Sequence, residues 1–232
     1  MHSAVEETPM FRGMSTPAVA AATAHLTTEH FQPDEVIFRP GDPGDRMYLV
    51  TQGKVALSRR SRDGAERLAT LVGPTEMFGE VSIFDPEPRT SEARALTAVA
   101  ARGMDRDTMR WWIAHHSDAA EQLLRVLARQ VRKATRKLAD IPHADITSRV
   151  AAQLLDLAQR FGTIEGDSVY VEHGLSQLEL ADLVGTSRES MCRVLHEFEK
   201  RGLIQVHGTS LTIYDCEVLS VHNHAASGVI EK

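Results

Sequence analysis

The sequence predicts an α+β protein in which a β-rich N-terminal half is joined by one long helix to a mostly helical C-terminal half. Three observations support this. Short β-forming runs alternate with turn residues between residues 28 and 110, an uninterrupted helical pattern covers residues 118–141, and two short helices separated by a turn fit residues 175–204. The domains expected from this division are residues 1–117, 118–144 and 145–232.

Length and composition fit such a protein. The chain has 232 residues, of which 42% are hydrophobic and 25% charged, as in an ordinary globular protein. No apolar run has the length of a membrane span, and the N-terminus lacks the apolar core of a secretory signal. The only cysteines, Cys192 and Cys216, are too few for a disulfide scaffold or a cysteine cluster. We expect a cytoplasmic protein with no metal site and no membrane partner.

The β-rich half contains five apolar runs, at residues 35–38, 46–50, 54–58, 67–72 and 96–101. Clusters of Gly, Pro and Asp separate these runs. Many short strands at regular spacing predict a sandwich or barrel. A short helix is expected before them, with Thr16 as its cap and Pro17 as its first residue.

The helical pattern of residues 118–141 carries an apolar seam with the spacing of a coiled coil. The seam consists of Leu124, Leu127, Val131, Ala134, Leu138 and Ile141. On an otherwise polar helix it favours packing against a second copy of the chain, and packing on the chain's own β domain is the alternative. Pro142 ends the helix and Asp145 is placed to cap the next one, so we expect a hinge here.

The second of the two short helices has the pattern of a DNA-recognition helix. Ser187 is placed to cap it, and its buried stripe consists of Met191, Val194, Leu195 and Phe198. Arg188, Glu189 and Arg193 are left on the outer face, where arginine can match a guanine edge and glutamate can accept from cytosine. An ordinary helical hairpin with a solvated charged face is the alternative. The net charge of −6 argues against a protein that coats nucleic acid non-specifically, so any DNA binding must come from local patches.

A candidate nucleotide site follows the fourth apolar run. Gly79 lets the backbone approach a ligand closely, and Glu80, followed by Val81, can accept a hydrogen bond from a ribose hydroxyl. Arg89 carries a planar charged fork that suits a phosphate, and Thr90 adds a hydroxyl beside it. A structural ion pair between the glutamate and the arginine is the alternative.

Several motifs occur together in one order. They are PGDPGDRMYLVTQGKV at 40–55, FGEVSIFDPEPRTSEA at 78–93, the long helix, and TSRESMCRVL at 186–195. In this combination the chain resembles the cyclic-AMP receptor protein family of bacterial transcription regulators. The segments SIFD, DPEPRTS and LLRVLAR are similar to those of its actinobacterial members.

The resemblance implies an N-terminal cyclic-nucleotide-binding jelly-roll β-barrel, a long dimerisation helix and a C-terminal winged helix-turn-helix domain with a tail. It implies that Gly79, Glu80 and Val81 lie at the ribose of cyclic AMP, and that Arg89 and Thr90 bind its cyclic phosphate.

The resemblance also assigns the adenine contacts to two adjacent residues of the long helix, commonly threonine followed by serine in the family. Here the pair is Ala134 and Thr135. Ala134 has no hydroxyl, so one hydrogen bond worth about 0.5–1.5 kcal/mol is missing, while Thr135 is available for a contact across the dimer. We therefore expect weaker or less base-selective binding of cyclic AMP.

For DNA, the resemblance implies a homodimer in which Ser187, Arg188, Glu189 and Arg193 contact a TGTGA-like half-site. The implied partners are double-stranded DNA, a second copy of the chain and RNA polymerase, and no enzymatic activity is implied. Two alternatives remain. One is a regulator that binds DNA with weak or no nucleotide dependence, and the other is a cyclic-nucleotide module that controls a partner enzyme.

Overall fold

The structure, a computed structural model, describes residues 8–61, 64–140 and 145–224. The chain divides into two compact units, residues 1–135 and 136–232, so the boundary falls within the long helix. The expected hinge residues Ile141 and Pro142 and the side chain of Leu138 lie outside the described part. No helix in the described part is long and apolar enough to cross a membrane.

The first unit contains eight strands. They are β1 (Thr27–Phe31), β2 (Val36–Phe38), β3 (Arg46–Gln52), β4 (Val55–Arg60), β5 (Glu66–Val72), β6 (Met77–Phe78), β7 (Glu92–Ala95) and β8 (Val99–Asp105). They form two antiparallel sheets, with orders β1-β8-β3-β6 and β2-β7-β4-β5. Side chains from both sheets share one buried cluster, which confirms the predicted barrel.

Four helices belong wholly or largely to this unit. They are α1 (Thr16–His25), α2 (Val81–Phe84), α3 (Arg106–His115) and α4 (Ser117–Asp140). The apolar run of β3 is buried on both of its faces. Tyr48 and Val50 pack between the sheets, whereas Met47 and Leu49 pack against the helices around Trp112. The prediction that Thr16 caps α1 is wrong. Ser15 is the N-cap residue, and Thr16 is already the first residue of the helix.

The first half of α4 packs on the barrel through a stripe that differs from the predicted seam. The buried residues of this stripe are Ala119, Gln122, Leu123 and Val126. In the seam, Leu124 is 67% exposed and Val131 is 65% exposed, and Leu127 packs partly against the core. The chain therefore packs α4 on its own β domain through a different stripe, and it leaves Leu124 and Val131 of the predicted seam exposed.

The second unit is a helical core with a small sheet. Its elements are α5 (Ile146–Phe161), β9 (Gly162–Glu165), β10 (Ser168–Glu172), α6 (Gln177–Val184), α7 (Arg188–Lys200), β11 (Ile204–His207), β12 (Ser210–Ile213) and α8 (Cys216–His224). The strands form an antiparallel sheet in the order β11-β12-β10-β9. Asp145 caps α5, as predicted, by accepting a hydrogen bond of 2.7 Å from the Ser148 amide. The expected tail begins as a helix, with Leu219 fully buried.

Candidate nucleotide site and nucleic-acid interface

Arg89 is held in place by the loop between β2 and β3. Its amide donates to the carbonyl of Asp42 at 2.9 Å, and its carbonyl accepts from the amide of Gly41 at 2.8 Å. Gly41 and Asp42, in the turn between β2 and β3, therefore fix the backbone of Arg89, the residue proposed to bind a phosphate.

The guanidinium of Arg89 is inside the barrel, where only 5% of the residue is exposed. Nη1 donates to the carbonyl of Gly79 at 2.7 Å, and Nη2 donates to the carbonyl of Arg46. The carbon of the fork lies 4.2 Å from the centroid of the Phe38 ring. Nε is buried and has no hydrogen-bond partner among the described residues.

Burial lowers the pKa of the Arg89 guanidinium, and the nearby Tyr48, Asp45, Glu80 and Asp42 oppose this effect. The side chain remains charged, because arginine does not lose its proton in proteins. Both hydrogen bonds of its fork go to neutral carbonyls. A buried cation with one nitrogen, Nε, that lacks any partner among the described residues is expensive unless it meets an anion, so this arrangement fits a phosphate.

Glu80 is the second buried ionisable group, with 7% of the residue exposed. Burial raises the pKa of its carboxyl group. The opposing contributions are hydrogen bonds from its own amide and from the Gln130 side chain, and the charge of Arg89. Because the carboxylate is bound by amides and attracted by a cation rather than tied into an ion pair, it can accept a further hydrogen bond from a ligand hydroxyl.

Gly79 precedes Glu80 in the chain, and its carbonyl accepts the hydrogen bond from Arg89. Its φ is +77°, and a Cβ here would lie 2.8 Å from Nη1 of Arg89. Glycine is therefore required for the close approach of the arginine as well as for the turn. Val81 follows Glu80 and Thr90 follows Arg89 in the sequence, and both are exposed.

The structure thus brings together Gly79, Glu80 and Arg89. Ala134 and Thr135 are exposed on α4, and the hydroxyl of Thr135 donates to the carbonyl of Val131 at 2.9 Å. Neither has a described contact with Glu80 or Arg89.

Sequence reasoning missed three contributors to the site. Arg46 acts through its main-chain carbonyl, which any residue would supply, and Phe38 reads simply as a strand residue. Gln130 is an exposed polar residue of α4, and the sequence gives no sign that it lowers the pKa of Glu80. No pattern of residue types could have found the first of these.

The helix-turn-helix pattern of α6 and α7 is confirmed by its capping. Ser176 and Glu179 form a reciprocal capping box at the start of α6, and Gly185 ends that helix with φ 72°. The hydroxyl of Ser187 accepts from the amide of Ser190 at 3.2 Å and so caps α7.

The outer face of α7 presents three charged side chains to solvent. Arg188, Glu189 and Arg193 are exposed, while the predicted stripe of Met191, Val194, Leu195 and Phe198 is buried. Nη2 of Arg193 donates to the hydroxyl of Ser190 at 3.1 Å, which directs it along the helix. Hydrogen bonds from its own amide and from Ser187, together with Arg188, lower the pKa of Glu189. This face matches what a recognition helix presents.

Cys192 lies on the inner side of the same helix. Its thiol donates to the Gln177 side-chain oxygen at 2.9 Å and so links α7 to α6. Within the described ranges, no three His, Cys, Asp or Glu side chains are grouped so that they could hold a metal ion.

Two family models match the chain. The model of the cyclic nucleotide-binding domain matches residues 28–116, and that of the Crp-like helix-turn-helix domain matches residues 148–221. The first range contains the Glu80–Arg89 site, and the second contains α6 and α7.

Curated relatives match across most of the chain. A CRP-like cAMP-activated global transcriptional regulator of Mycobacterium tuberculosis is 49% identical over 211 residues, which cover 91% of this chain and 94% of the relative. The cyclic AMP receptor protein of Thermus thermophilus is 32% identical over the same coverage.

Among solved structures, a CRP/FNR family transcriptional regulator from Thermus thermophilus is similar with a TM-score of 0.72 and 26% identity. The match covers 85% of this chain and 98% of that one. With its nucleotide-binding barrel and its helix-turn-helix unit, the chain belongs to the CRP family of transcriptional regulators.

Proposed function

We propose that this protein is a dimeric regulator that binds cyclic AMP in its barrel and a TGTGA-like palindrome through its helix-turn-helix. It works in the cytoplasm, with the chromosome and RNA polymerase as partners. Residues 1–117 are the sensor, residues 118–144 are the dimerisation helix and hinge, and residues 145–232 are the DNA-binding domain with its tail.

The single observation that carries the proposal is the buried guanidinium of Arg89, whose Nε has no hydrogen-bond partner among the described residues. In this proposal, Arg89 and Thr90 bind the cyclic phosphate, while Gly79, Glu80 and Val81 lie at the ribose. The phosphate supplies an anion that can bond the fork directly, since the fork's hydrogen bonds within the described residues go to neutral carbonyls. Ala134 and Thr135 are the residues nearest the base, and the first contributes no hydrogen bond.

On the DNA side, Ser187, Arg188, Glu189 and Arg193 are the proposed contacts. Their exposure at the start of a capped helix supports this assignment. The exposed seam side chains Leu124 and Val131 support dimerisation through α4, because large apolar side chains in a row are costly in water. Pro142 and Asp145 bracket the proposed hinge.

The second candidate is a regulator whose DNA affinity does not depend on nucleotide. Ala134 favours it, because its lack of a hydroxyl weakens the link between base and helix. Equal operator affinity with and without cyclic AMP would establish this candidate. Control of a partner enzyme has no support, since the second unit matches a helix-turn-helix domain.

The test is calorimetric titration of the full-length protein with cyclic AMP and, separately, cyclic GMP. We expect Arg89→Ala to weaken nucleotide binding by at least about a hundredfold, because two charge-assisted hydrogen bonds are lost. Arg89→Lys keeps the charge without the fork and should bind with intermediate affinity.

Arg110→Ala, at an exposed arginine of α3, is the matched control and should leave the affinity unchanged. Circular dichroism checks that each variant is folded. If a folded Arg89→Ala variant binds nucleotide as tightly as the wild type, the proposed phosphate site is wrong.

A further inference from the structure

The fork of Arg89 is anchored where the ladder between β3 and β6 ends. β6 has only two residues, and both pair with β3. Just beyond this short ladder, the carbonyls of Gly79 and Arg46 both accept hydrogen bonds from the Arg89 guanidinium. Because Arg46 is the first residue of β3, the orientation of the fork depends on what holds the start of that strand.

The side chain of Arg46 is tied to β1 by an ion pair. Its Nε donates to Oε1 of Glu29 at 2.7 Å, and its Nη2 lies 2.6 Å from the same oxygen. Nη2 also donates to the hydroxyl of Thr27. The two side chains of the ion pair are only 28% and 27% exposed, so water and salt screen their attraction less than they screen a fully exposed pair.

Gly103 makes room for this ion pair. It lies on β8, the strand between β1 and β3, opposite Thr27 on one side and Tyr48 on the other. A Cβ here would lie 2.7 Å from Nε and 2.8 Å from Nη2 of Arg46, and it would also collide with the Glu29 carboxylate. Glycine weakens the interior of a strand, and it often marks a place where another group approaches the backbone closely. The ion pair therefore crosses directly over the backbone of β8.

We propose that Glu29 is a positioning residue for nucleotide binding, because its ion pair with Arg46 holds the carbonyl that orients the Arg89 fork. This inference rests on the proposed function. The carbonyl itself could come from any residue. Its placement depends on the arginine side chain at position 46, the carboxylate on β1 and the glycine between them. Glu29 thus acts on the phosphate through two arginines and does not contact the ligand.

Calorimetric titration of the full-length protein with cyclic AMP tests this role. Glu29→Met keeps the length of the side chain but cannot accept a hydrogen bond from Arg46. We expect the affinity for cyclic AMP to fall about fivefold to tenfold, because a fork that is held less firmly must be ordered when the ligand binds. Glu29→Gln keeps an acceptor oxygen without the charge and should show a smaller loss.

The matched control is Asp34→Asn. It makes the same change of a carboxylate to an amide in another ion pair of the barrel, in which Asp34 lies 2.8 Å from Arg94. Arg94 belongs to β7, which is part of the other sheet. The affinity for cyclic AMP should be unchanged in this variant. Partly exposed ion pairs contribute little to stability, so all these variants should fold, and circular dichroism checks this.

A double-mutant cycle with Arg89→Ala separates positioning from general support of the barrel. If Glu29 acts through Arg89, Glu29→Met should cause no further loss of affinity in the Arg89→Ala background, because the side chain that it positions is gone. An equal loss in both backgrounds would overturn the proposal. Arg46→Met should give the same loss as Glu29→Met, and the two together should give no more than either alone.

The outcomes also separate this inference from the proposed function. If the wild type binds no cyclic nucleotide, the proposed function fails. If Arg89→Ala loses nucleotide binding while a folded Glu29→Met variant binds as tightly as the wild type, the phosphate site stands and the positioning role of Glu29 is overturned. Additive losses for Glu29→Met and Arg46→Met would show that the two side chains act separately, which would overturn the role of their ion pair.

Discussion

At the scale of single residues, the nucleotide site places charge where the fold alone would not favour it. Glu80 and Arg89 are both buried, and burial shifts the pKa of each toward its neutral form. Their hydrogen bonds go to amides and carbonyls rather than to each other. Such a pair is better explained by ligand binding than by stability, because buried charges without a tight ionic partner cost free energy.

Glu80→Gln tests whether the charge of Glu80 lowers the stability of the folded protein while it contributes to nucleotide binding. The raised pKa means that the folded protein holds the proton more strongly than the unfolded chain. The contribution of Glu80 to stability is therefore greatest below the pKa of the unfolded chain, and it decreases as pH rises through the folded-state pKa. We expect the variant to gain stability relative to wild type as pH increases, while its nucleotide affinity falls about tenfold or more.

Urea unfolding of the nucleotide-free protein at several pH values measures the first effect, and calorimetry measures the second. Glu66→Gln, on the exposed surface of β5, is the control and should show neither effect. If the stability of Glu80→Gln relative to wild type did not rise with pH, this account of the carboxylate would be wrong.

At the scale of elements, α4 has two apolar faces, and two neighbouring leucines belong to different faces. Leu123 is 3% exposed and packs on the barrel, while Leu124 is 67% exposed and belongs to the seam. We expect Leu123→Ala to destabilise the first unit by about 2–5 kcal/mol, the usual cost of removing a buried leucine side chain. Leu124→Ala should leave that stability unchanged and weaken dimerisation.

Thermal unfolding and sedimentation equilibrium separate the two effects, and each variant is the control for the other. Should Leu124→Ala leave the dissociation constant of the dimer unchanged, the seam would not be the dimer contact.

The same element shows what the sequence can and cannot predict. The a/d spacing of α4 predicts the seam. The buried stripe cannot be recognised from the sequence, because apolar residues on two faces of one helix weaken the periodic pattern of each face. The caps of α5 and α7 and the hairpin of β11 and β12 are predictable, since cap and turn residues act locally. β1, β9 and α8 are not, because their packing depends on partners distant in the sequence. Glu80 and Arg89 are identifiable as residue types, whereas the effect of Gln130 on the pKa of Glu80 depends on tertiary packing.

At the scale of the whole molecule, a chain of net charge −6 must bind a polyanion through a small basic face. The general field of the protein repels DNA, so affinity depends on local contacts from α7 and on complementarity to the bases. We therefore expect weak binding to a scrambled duplex, and steep loss of operator binding as salt rises from about 50 to 200 mM. Arg193→Ala should reduce the preference for operator over scrambled duplex by about 1–3 kcal/mol if its guanidinium reads a guanine.

Fluorescence anisotropy over a salt series, with operator and scrambled duplexes side by side, gives two quantities. They are the dependence of operator affinity on salt concentration and the preference for operator over scrambled duplex. Arg59→Ala, at an exposed arginine of the barrel strand β4, removes the same charge far from α7 in sequence and should leave the preference intact. If Arg193→Ala weakened both duplexes equally, the side chain would contact phosphate rather than a base, because a phosphate contact carries no sequence information. Base reading would then fall to Arg188 and Glu189, the other exposed residues at the start of the same helix.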